Sequence, residues 1–427
     1  MTDRSSTSAC SRRPRLNASA DVARRHGPWV VAVLAIGLRS AGADDDYQLG
    51  VENFLYRSTA TVLNRDNVFG LAPTENLFRI TGTAKKSVGH WSAKVSAFGE
   101  RQSGKADQTR LTFRQAFIEY KTEDGFLARV GKQKTAWGSG FVWNPTARLE
   151  PPKSPQNPGA EQPGIDAVRL DVSPSGWASL TLLAGRAQTA LTDLPGSLAR
   201  ETNPQWTGAM RARLLVRDTD VALTWIAGTE REGLLGVDLG RTWGPLALHA
   251  ETAIYRGSEI DRARPRDPFV RVAAGALWSP GDQTLAFEYF FNGEGMTGPQ
   301  FSDYTGRLDR NLTAANDPGR PAPVRQASLA AWSIDAAIPF SSNLGLRRHY
   351  ASLSLTRSEI ATNLNASLRA VCGLSDRGII LTPGVAYAPS GHVQMSLDLV
   401  LLVGPASAEY KLAPIKRAIQ ARMKYSF

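Results

Sequence analysis

The chain has 427 residues, of which 42% are hydrophobic and 21% are charged, a balance that excludes both a disordered chain and a coiled coil. Its net charge of +11 would suit a nucleic-acid-binding protein, but almost half of the excess lies in residues 1–43 and no long Lys/Arg block follows. We therefore expect no nucleic-acid partner. No apolar stretch reaches about 18 residues, so a membrane-spanning helix is not expected.

The N-terminal segment has the layout of an export signal. A basic pair, Arg24-Arg25, precedes the apolar run Trp29–Leu38, and the small-residue sequence Ala41-Gly42-Ala43 follows it. We predict that residues 1–43 form a signal peptide that is cleaved after Ala43, so that the mature chain starts at Asp44. A buried helix over the apolar run is the alternative interpretation.

After the predicted cleavage site, apolar and polar residues alternate with a period of two, which is typical of strands. In one clear case Val393, Met395 and Leu397 share one face while Gln394 and Ser396 share the other. We find no sustained helical period, and place residues 327–339 in an outer loop or in an extra pair of strands. Eighteen strands are predicted, with sixteen as the alternative: 47–58, 75–84, 90–100, 108–120, 126–133, 165–173, 177–186, 207–216, 219–228, 233–242, 245–255, 268–278, 283–291, 345–356, 363–373, 377–388, 391–403 and 416–427.

The connections between these strands alternate in length. Short turns such as 122–125 and 389–391 are separated by much longer segments. Outer-membrane barrels have short periplasmic turns and long outer loops, whereas a soluble sandwich has no reason to sort its loops in this way. Residues 44–427 are therefore predicted to form an all-β, antiparallel transmembrane barrel in the outer membrane of a Gram-negative bacterium. The predicted outer loops are 60–75, 134–164, 187–206, 256–267 and 292–344.

No catalytic, metal or cofactor site is indicated. The four histidines of the predicted mature chain form no spaced metal motif, and no G-x-S-x-G elbow is present. His249 and Glu251 share one face of a predicted strand, which fits polar groups lining a lumen better than an acid–base pair. Cys372 is the sole cysteine of the predicted mature chain and cannot form an internal disulfide.

Side chains that the alternation assigns to the lumen include more Arg and Lys than Asp and Glu. Rings of Arg and Lys favour anions in pores, so we expect a mild anion preference. The candidate pore-lining or constriction residues are Arg148, Glu150, Lys153, Arg211, Arg213, Glu251, Arg271, Arg369, Arg422 and Lys424.

The most distinctive stretch is Gly131–Gly164, which is long and rich in proline. A proline-rich loop is stiff. Folded into the lumen it would narrow a pore, and the alternative is an ordered loop at the rim. The stretch contains Trp137-Gly138-Ser139-Gly140-Phe141, Asn144-Pro145-Thr146 and Pro152-Lys153-Ser154-Pro155. This pattern resembles porin-like outer-membrane proteins in which W-G-x-G-[FY] is followed by N-P-T and P-K-x-P. The resemblance implies a barrel with channel character and no particular solute.

The chain ends in an alternating strand with an aromatic last residue. Tyr425 and Phe427 lie on its apolar face, and Lys424 and Ser426 lie on the other. A terminal aromatic on such a strand resembles the assembly signal of bacterial outer-membrane proteins. That resemblance implies the barrel assembly machinery as a partner.

These features predict an outer-membrane channel, embedded in lipid, for passive or facilitated diffusion of small hydrophilic solutes. The first alternative is a non-transporting barrel that anchors surface polysaccharide or serves an export machine. A plugged lumen together with a basic cluster in the outer loops would favour that alternative. An outer-membrane enzyme is the third alternative, and we expect no enzymatic activity.

Overall fold

The computed structural model describes residues 46–103, 108–135, 137–150, 163–187, 205–228, 233–257, 267–341 and 345–427. The predicted signal peptide, with Ala43, lies outside the described residues. The same holds for Lys153.

In the described part of the chain, eighteen antiparallel strands form one closed sheet. Every strand pairs with its neighbours in sequence, and the barrel closes where β1 pairs with β18, for example Val51 opposite Met423. The predicted transmembrane barrel fold with 18 strands is therefore confirmed, and the alternative of sixteen is wrong. The strands are β1 (Asp46–Ser58), β2 (Thr74–Val88), β3 (Trp91–Ser103), β4 (Gln108–Lys121), β5 (Phe126–Gln133), β6 (Ile165–Ser175), β7 (Ala178–Ala187), β8 (Gln205–Val216), β9 (Thr219–Gly228), β10 (Gly233–Trp243), β11 (Leu246–Arg256), β12 (Pro268–Trp278), β13 (Gln283–Asn292), β14 (His349–Ala361), β15 (Leu364–Gly373), β16 (Gly378–Ser390), β17 (Val393–Val403) and β18 (Ile415–Ser426).

The largest error in strand position concerns β14, predicted at 345–356 and found at His349–Ala361. Leu346 is 1% exposed and belongs to the outer connection, where it lies in an apolar cluster with Met296 and Phe301. At the other end the strand continues to a tight turn that Asn363 makes possible with a φ of 60°.

The outward faces of the strands form an apolar belt. Leu235 and Leu397 are 57% and 50% exposed, which would be unfavourable in water and suits lipid acyl chains. Trp177 and Trp243 lie beside short turns and are 61% and 48% exposed. Aromatic side chains at the edge of such a belt are typical of membrane barrels.

The prediction that no segment is helical is wrong for the longest outer connection. Between β13 and β14 lie two helices, α1 (Gly298–Asn316) and α2 (Ala322–Ser341), and α2 includes the whole of residues 327–339. At the start of α1, the Thr297 N–H donates to Gln300 Oε1 at 2.9 Å, which is half of a capping box. The buried residues Phe301, Tyr304, Leu308 and Leu312 recur every three or four positions, so the helical signal is present in the sequence.

The two helices form a hairpin that packs on neighbouring outer connections. Leu308 and Trp332 share an apolar cluster with Leu63, from the connection between β1 and β2. On the surface of this contact, Arg65 forms an ion pair with Asp309. Neither helix, nor any other in the described residues, is long and apolar enough to cross a bilayer.

A buried carboxylate joins three outer connections. Glu409 lies between β17 and β18, and its Oε1 accepts a hydrogen bond from the Leu346 N–H at 2.7 Å. Its other oxygen accepts from the Tyr350 hydroxyl, and its own N–H donates to Asp376 Oδ2 at 2.9 Å, in the connection between β15 and β16. Burial is the main cause that raises the pKa of Glu409 to about 7.

Candidate functional site in the barrel lumen

Residues 137–150 of the connection between β5 and β6 fold into the barrel. We call residues 137–150 the inward segment, because they contact lumen-facing side chains of β11 and β13. These two strands lie six and eight strands further along the chain. The contacts therefore reach across the lumen and do not run along the neighbouring wall.

Glu251 of β11 is one of two carboxylates that hold the inward segment. It is fully buried, and its Oε1 accepts the N–H groups of Ser139 and Gly140, the latter at 2.8 Å. Its Oε2 accepts both the N–H of Thr146, at 3.2 Å, and the hydroxyl of Thr146, at 3.0 Å. Hydrogen bonds to an ionised acceptor are about twice as strong as neutral ones.

Glu288 of β13 is the second carboxylate, and it is also fully buried. It accepts the N–H groups of Phe141 at 2.6 Å, Val142 at 3.2 Å and Trp143 at 2.8 Å. Nε2 of His249 lies 3.0 Å from the same carboxylate. Burying a carboxylate without hydrogen-bond donors would be very unfavourable. The N–H groups of the inward segment therefore stabilise the two buried acids, and the two acids in turn hold the segment in place.

Aromatic stacking supports the same position. The ring of Trp143 is nearly parallel to that of Phe290, with centroids 5.3 Å apart, and also contacts Tyr350. The hydroxyl of Tyr255 donates to the carbonyl oxygen of Pro145. The two anchoring acids are thus accompanied by lumen-facing rings of β11, β13 and β14.

The two glycines of the W-G-S-G sequence have a steric role. Gly138 has a φ of +88°, which favours glycine, and a Cβ at position 140 would lie 1.9 Å from the carbonyl oxygen of Trp143. Asn144 Oδ1 accepts the N–H of Gly140 at 2.8 Å, so the asparagine closes the turn. The motif thus makes a compact turn whose N–H groups point toward the two carboxylates.

The predicted constriction residues of this loop have different positions. Glu150 turns back and accepts a hydrogen bond from the hydroxyl of Thr135 at 3.1 Å, which ties the end of the inward segment to the chain just before its start. Arg148 is half-buried, and its neighbour Leu149 is completely buried in an apolar cluster.

Three predicted pore-lining residues come together on the lumen face of β15 to β18. Arg369, Arg422 and Lys424 line a pocket of about 340 Å³ together with Asp398. Arg422 is the bridging residue, since its Nη2 lies 3.3 Å from Asp398 Oδ2 and its Nε lies 3.2 Å from Glu52 Oε1 on β1. The remaining wall of this pocket combines polar with apolar side chains: Ser367, Thr382, Gln394, Ser396 and Gln420 are polar, and Val385, Ala386 and Met395 are apolar.

The other predicted arginines are paired with acids. Arg211 forms an ion pair with Asp238 at 2.7 Å, and Arg213 forms one with Asp220. Arg271 is completely buried and pairs with Glu294.

The sequence prediction missed most of these partners, together with further lumen pairs. Arg79 binds Glu52 and Glu100, and Arg129 binds Glu119. In these further pairs the two side chains lie opposite each other on adjacent strands, and only the register, such as Arg79 opposite Glu100, reveals them. The excess of positive charge in the lumen is consequently smaller than a count of arginines predicts.

The C-terminal aromatics lie at the seam where the barrel closes. Tyr425 and Phe427 are 36% and 54% exposed, and their rings meet edge to face at 4.6 Å. The N–H of Phe427 donates to the carbonyl oxygen of Tyr47 on β1 at 3.0 Å.

Known structures share the fold of this chain. The crystal structure of Pseudomonas aeruginosa OccK5 (OpdH) matches with a TM-score of 0.55 and 12% identity, over 90% of this chain and 98% of that chain. P. aeruginosa OpdK with vanillate gives 0.54 and 10%, over 90% and 98%. P. aeruginosa OprD gives 0.52 and 11%, over 91% and 97%. No protein-family model matches the chain, and a search of curated proteins found no match. At such low identity the likeness concerns the fold, which is that of an outer-membrane β-barrel.

Proposed function

We propose that this chain is a channel in the outer membrane of a Gram-negative bacterium, through which small hydrophilic solutes diffuse. The observation that carries the proposal is the polar lumen of a closed barrel, crossed by an inward segment that two buried carboxylates hold in place. A segment fixed in this way narrows a passage without needing a separate plug domain. Lipid surrounds the apolar belt, and the solute moves through the lumen.

We infer that the inward segment is the constriction. Its anchors lie across the barrel from β5, so it divides the lumen into a filled part and a remaining open part. We propose that Arg148, which is half-buried in this segment, lines the remaining passage, and that Glu150 contributes by fixing the end of the segment. Lys153 follows within the same proline-rich stretch and is part of the proposal from the sequence alone.

A mild anion preference is the finer part of the proposal. It rests on the pocket of β15 to β18, where Arg369, Arg422 and Lys424 outnumber Asp398. One structural neighbour was crystallised with vanillate, which is a carboxylate, and an anionic solute of that kind would suit this pocket.

Processing and assembly complete the proposal. Export requires residues 1–43 as a cleavable signal, with cleavage after Ala43, and residues 44–427 as the barrel domain. We propose that Tyr425 and Phe427 serve as the signal that the barrel assembly machinery reads. Their exposure at the β1–β18 seam supports this role.

Conductance of the purified protein in a planar lipid bilayer tests the function. We expect discrete channels, and under a KCl gradient a reversal potential that indicates mild anion preference at about 0.1 M salt. The preference should fade at 1 M, where the Debye length falls to about 3 Å. Cation preference would contradict the role of the basic pocket. A complete lack of conductance would favour the non-transporting anchor or export partner.

A further inference from the structure

Two arginines on the outward face of the barrel lack an acidic partner. Arg57 of β1 and Arg417 of β18 are direct cross-strand neighbours, and both are exposed. Leu55 and Ile419, two positions further along each strand, are 39% and 43% exposed as part of the apolar belt. Since side chains on one face recur every two residues, the arginines also point outward. Within the described ranges, neither guanidinium has a hydrogen-bonding or ionic partner.

This arrangement is unfavourable by itself. Directly opposed cross-strand residues have Cβ atoms about 4.5–5.5 Å apart, and like charges in such pairs destabilise a sheet. Next to lipid, the repulsion is screened less than in water. A shared anion would remove the repulsion, and the planar guanidinium fork fits phosphate oxygens in a bidentate manner.

The height of the pair along the barrel points to the lipid headgroups. On β18 the outward column runs from Tyr425 through Met423, Ala421 and Ile419 to Arg417. At about 3.4 Å per residue and a strand tilt of about 40°, these eight steps span roughly 20 Å of membrane thickness. The apolar band of a membrane barrel is about 25 Å tall. Arg57 and Arg417 therefore lie at the end of the band on the side of the long loops.

An outward basic residue elsewhere on the same rim has an acidic partner. Lys132 of β5 follows the lipid-facing Val130, which is 58% exposed, by two positions. Its Nζ lies 3.0 Å from Asp166 Oδ2 on the adjacent strand β6. At Lys132 the negative partner is thus a side chain of the protein, whereas an anion from outside the chain is needed to neutralise Arg57 and Arg417.

We propose that Arg57 and Arg417 together bind a phosphate group of the anionic glycolipid in the outer leaflet. The inference rests on the outer-membrane location in the proposed function, because only that leaflet presents phosphorylated sugars beside the long loops. The acyl chains of the bound lipid lie against the apolar column below, and its phosphate bridges the two guanidinium groups. The site fixes one lipid at the seam between the first and last strands.

Lipid binding to the full mature barrel in detergent tests this site. The probes are lipid A with both phosphates, the same lipid A after phosphate removal, and inorganic phosphate, each measured by native mass spectrometry and by the shift in melting temperature. Arg57→Gln and Arg417→Gln should each weaken binding of phosphorylated lipid A about tenfold, and the double variant about a hundredfold. Lys132→Gln is the matched control and should bind as the wild type does. Folding of every variant is checked by its heat-modifiable migration.

Three outcomes would overturn the inference. The wild type would bind phosphorylated and phosphate-free lipid A equally, or the folded double variant would keep its affinity, or inorganic phosphate would bind as tightly as lipid A. The first comparison uses only the wild type, so it decides the question even if a variant does not fold. A barrel that prefers phosphorylated lipid A but conducts no current would refute the channel proposal alone. A conducting barrel without that preference would refute only the lipid site.

Discussion

Replacing Glu251 by Gln should release the inward segment from the barrel wall. The carboxylate accepts three backbone N–H groups and the hydroxyls of Ser139 and Thr146, whereas an amide keeps one oxygen and turns its own NH₂ group toward donors. At about 1.5–3 kcal/mol for each hydrogen bond to a charged group, losing the two bonds to Thr146 weakens the docked state by about 3–6 kcal/mol. That is a factor of about 10²–10⁴ in the equilibrium between docked and released segment.

Single-channel recording and amide exchange both report this release. We expect Glu251→Gln to give larger or noisier conductance and to lower the exchange protection of the Ser139, Gly140 and Thr146 amides. Glu119→Gln is the matched control, because Glu119 is a wall carboxylate that pairs with Arg129 instead of with the segment. Unchanged conductance together with unchanged protection in Glu251→Gln would refute the reasoning that this carboxylate holds the segment.

Four further predictions concern processing, assembly, the lipid face and the outer connections. N-terminal sequencing of the membrane-extracted protein should begin at Asp44, and a start upstream of the predicted cleavage site would exclude the assignment. Deleting Phe427 should lower the heat-modifiable, membrane-inserted fraction, and undiminished insertion would remove the assembly role. Leu397→Arg should cost about 2–4 kcal/mol of barrel stability if it lies near the midplane, whereas Ser396→Arg should be tolerated; equal effects would contradict the assignment of faces. Because burial raises the pKa of Glu409 from 4.5 to about 7, the tie between the outer connections is fully stabilising below about pH 4.5 and loses about 3 kcal/mol by about pH 7. Amide exchange there, corrected for its intrinsic pH dependence, should show this loss, and Glu409→Gln should abolish it.

The barrel could be predicted from the sequence because its signals are local. Alternation of period two along each strand, such as Val393 to Leu397, requires only neighbouring residues, and the closed sheet follows from strand number and loop length. The helices α1 and α2 were missed although Phe301, Tyr304 and Leu308 have helical spacing. The period-two patterns of β13 and β14, which flank this long connection, favour strands and loops and outweigh its helical spacing.

The lumen could not be predicted to the same depth, because its contacts are not local. Glu251 and Glu288 are recognisable in the sequence only as acids in apolar strands, and their donors lie more than a hundred residues earlier. The W-G-S-G stretch indicates an unusual turn, but its target on the opposite wall depends on which strands face each other. Knowledge of register and closure is needed before Glu251 can be recognised as an anchor.

Charge pairing decides what selectivity the lumen can have. An arginine beside an acid, as in Arg211–Asp238, presents little net field to a passing ion, since the two charges are only 2.7 Å apart. In the part of the chain that the structure describes, Arg369 and Lys424 line the pocket of β15 to β18 without an ion pair of their own. Of the predicted pore-lining residues on the strands, these two should therefore contribute most to the field on a solute. Anion preference is then local and mild; it should fall when Arg369 or Lys424 is neutralised and stay unchanged when both members of a pair, such as Arg211 and Asp238, are neutralised together.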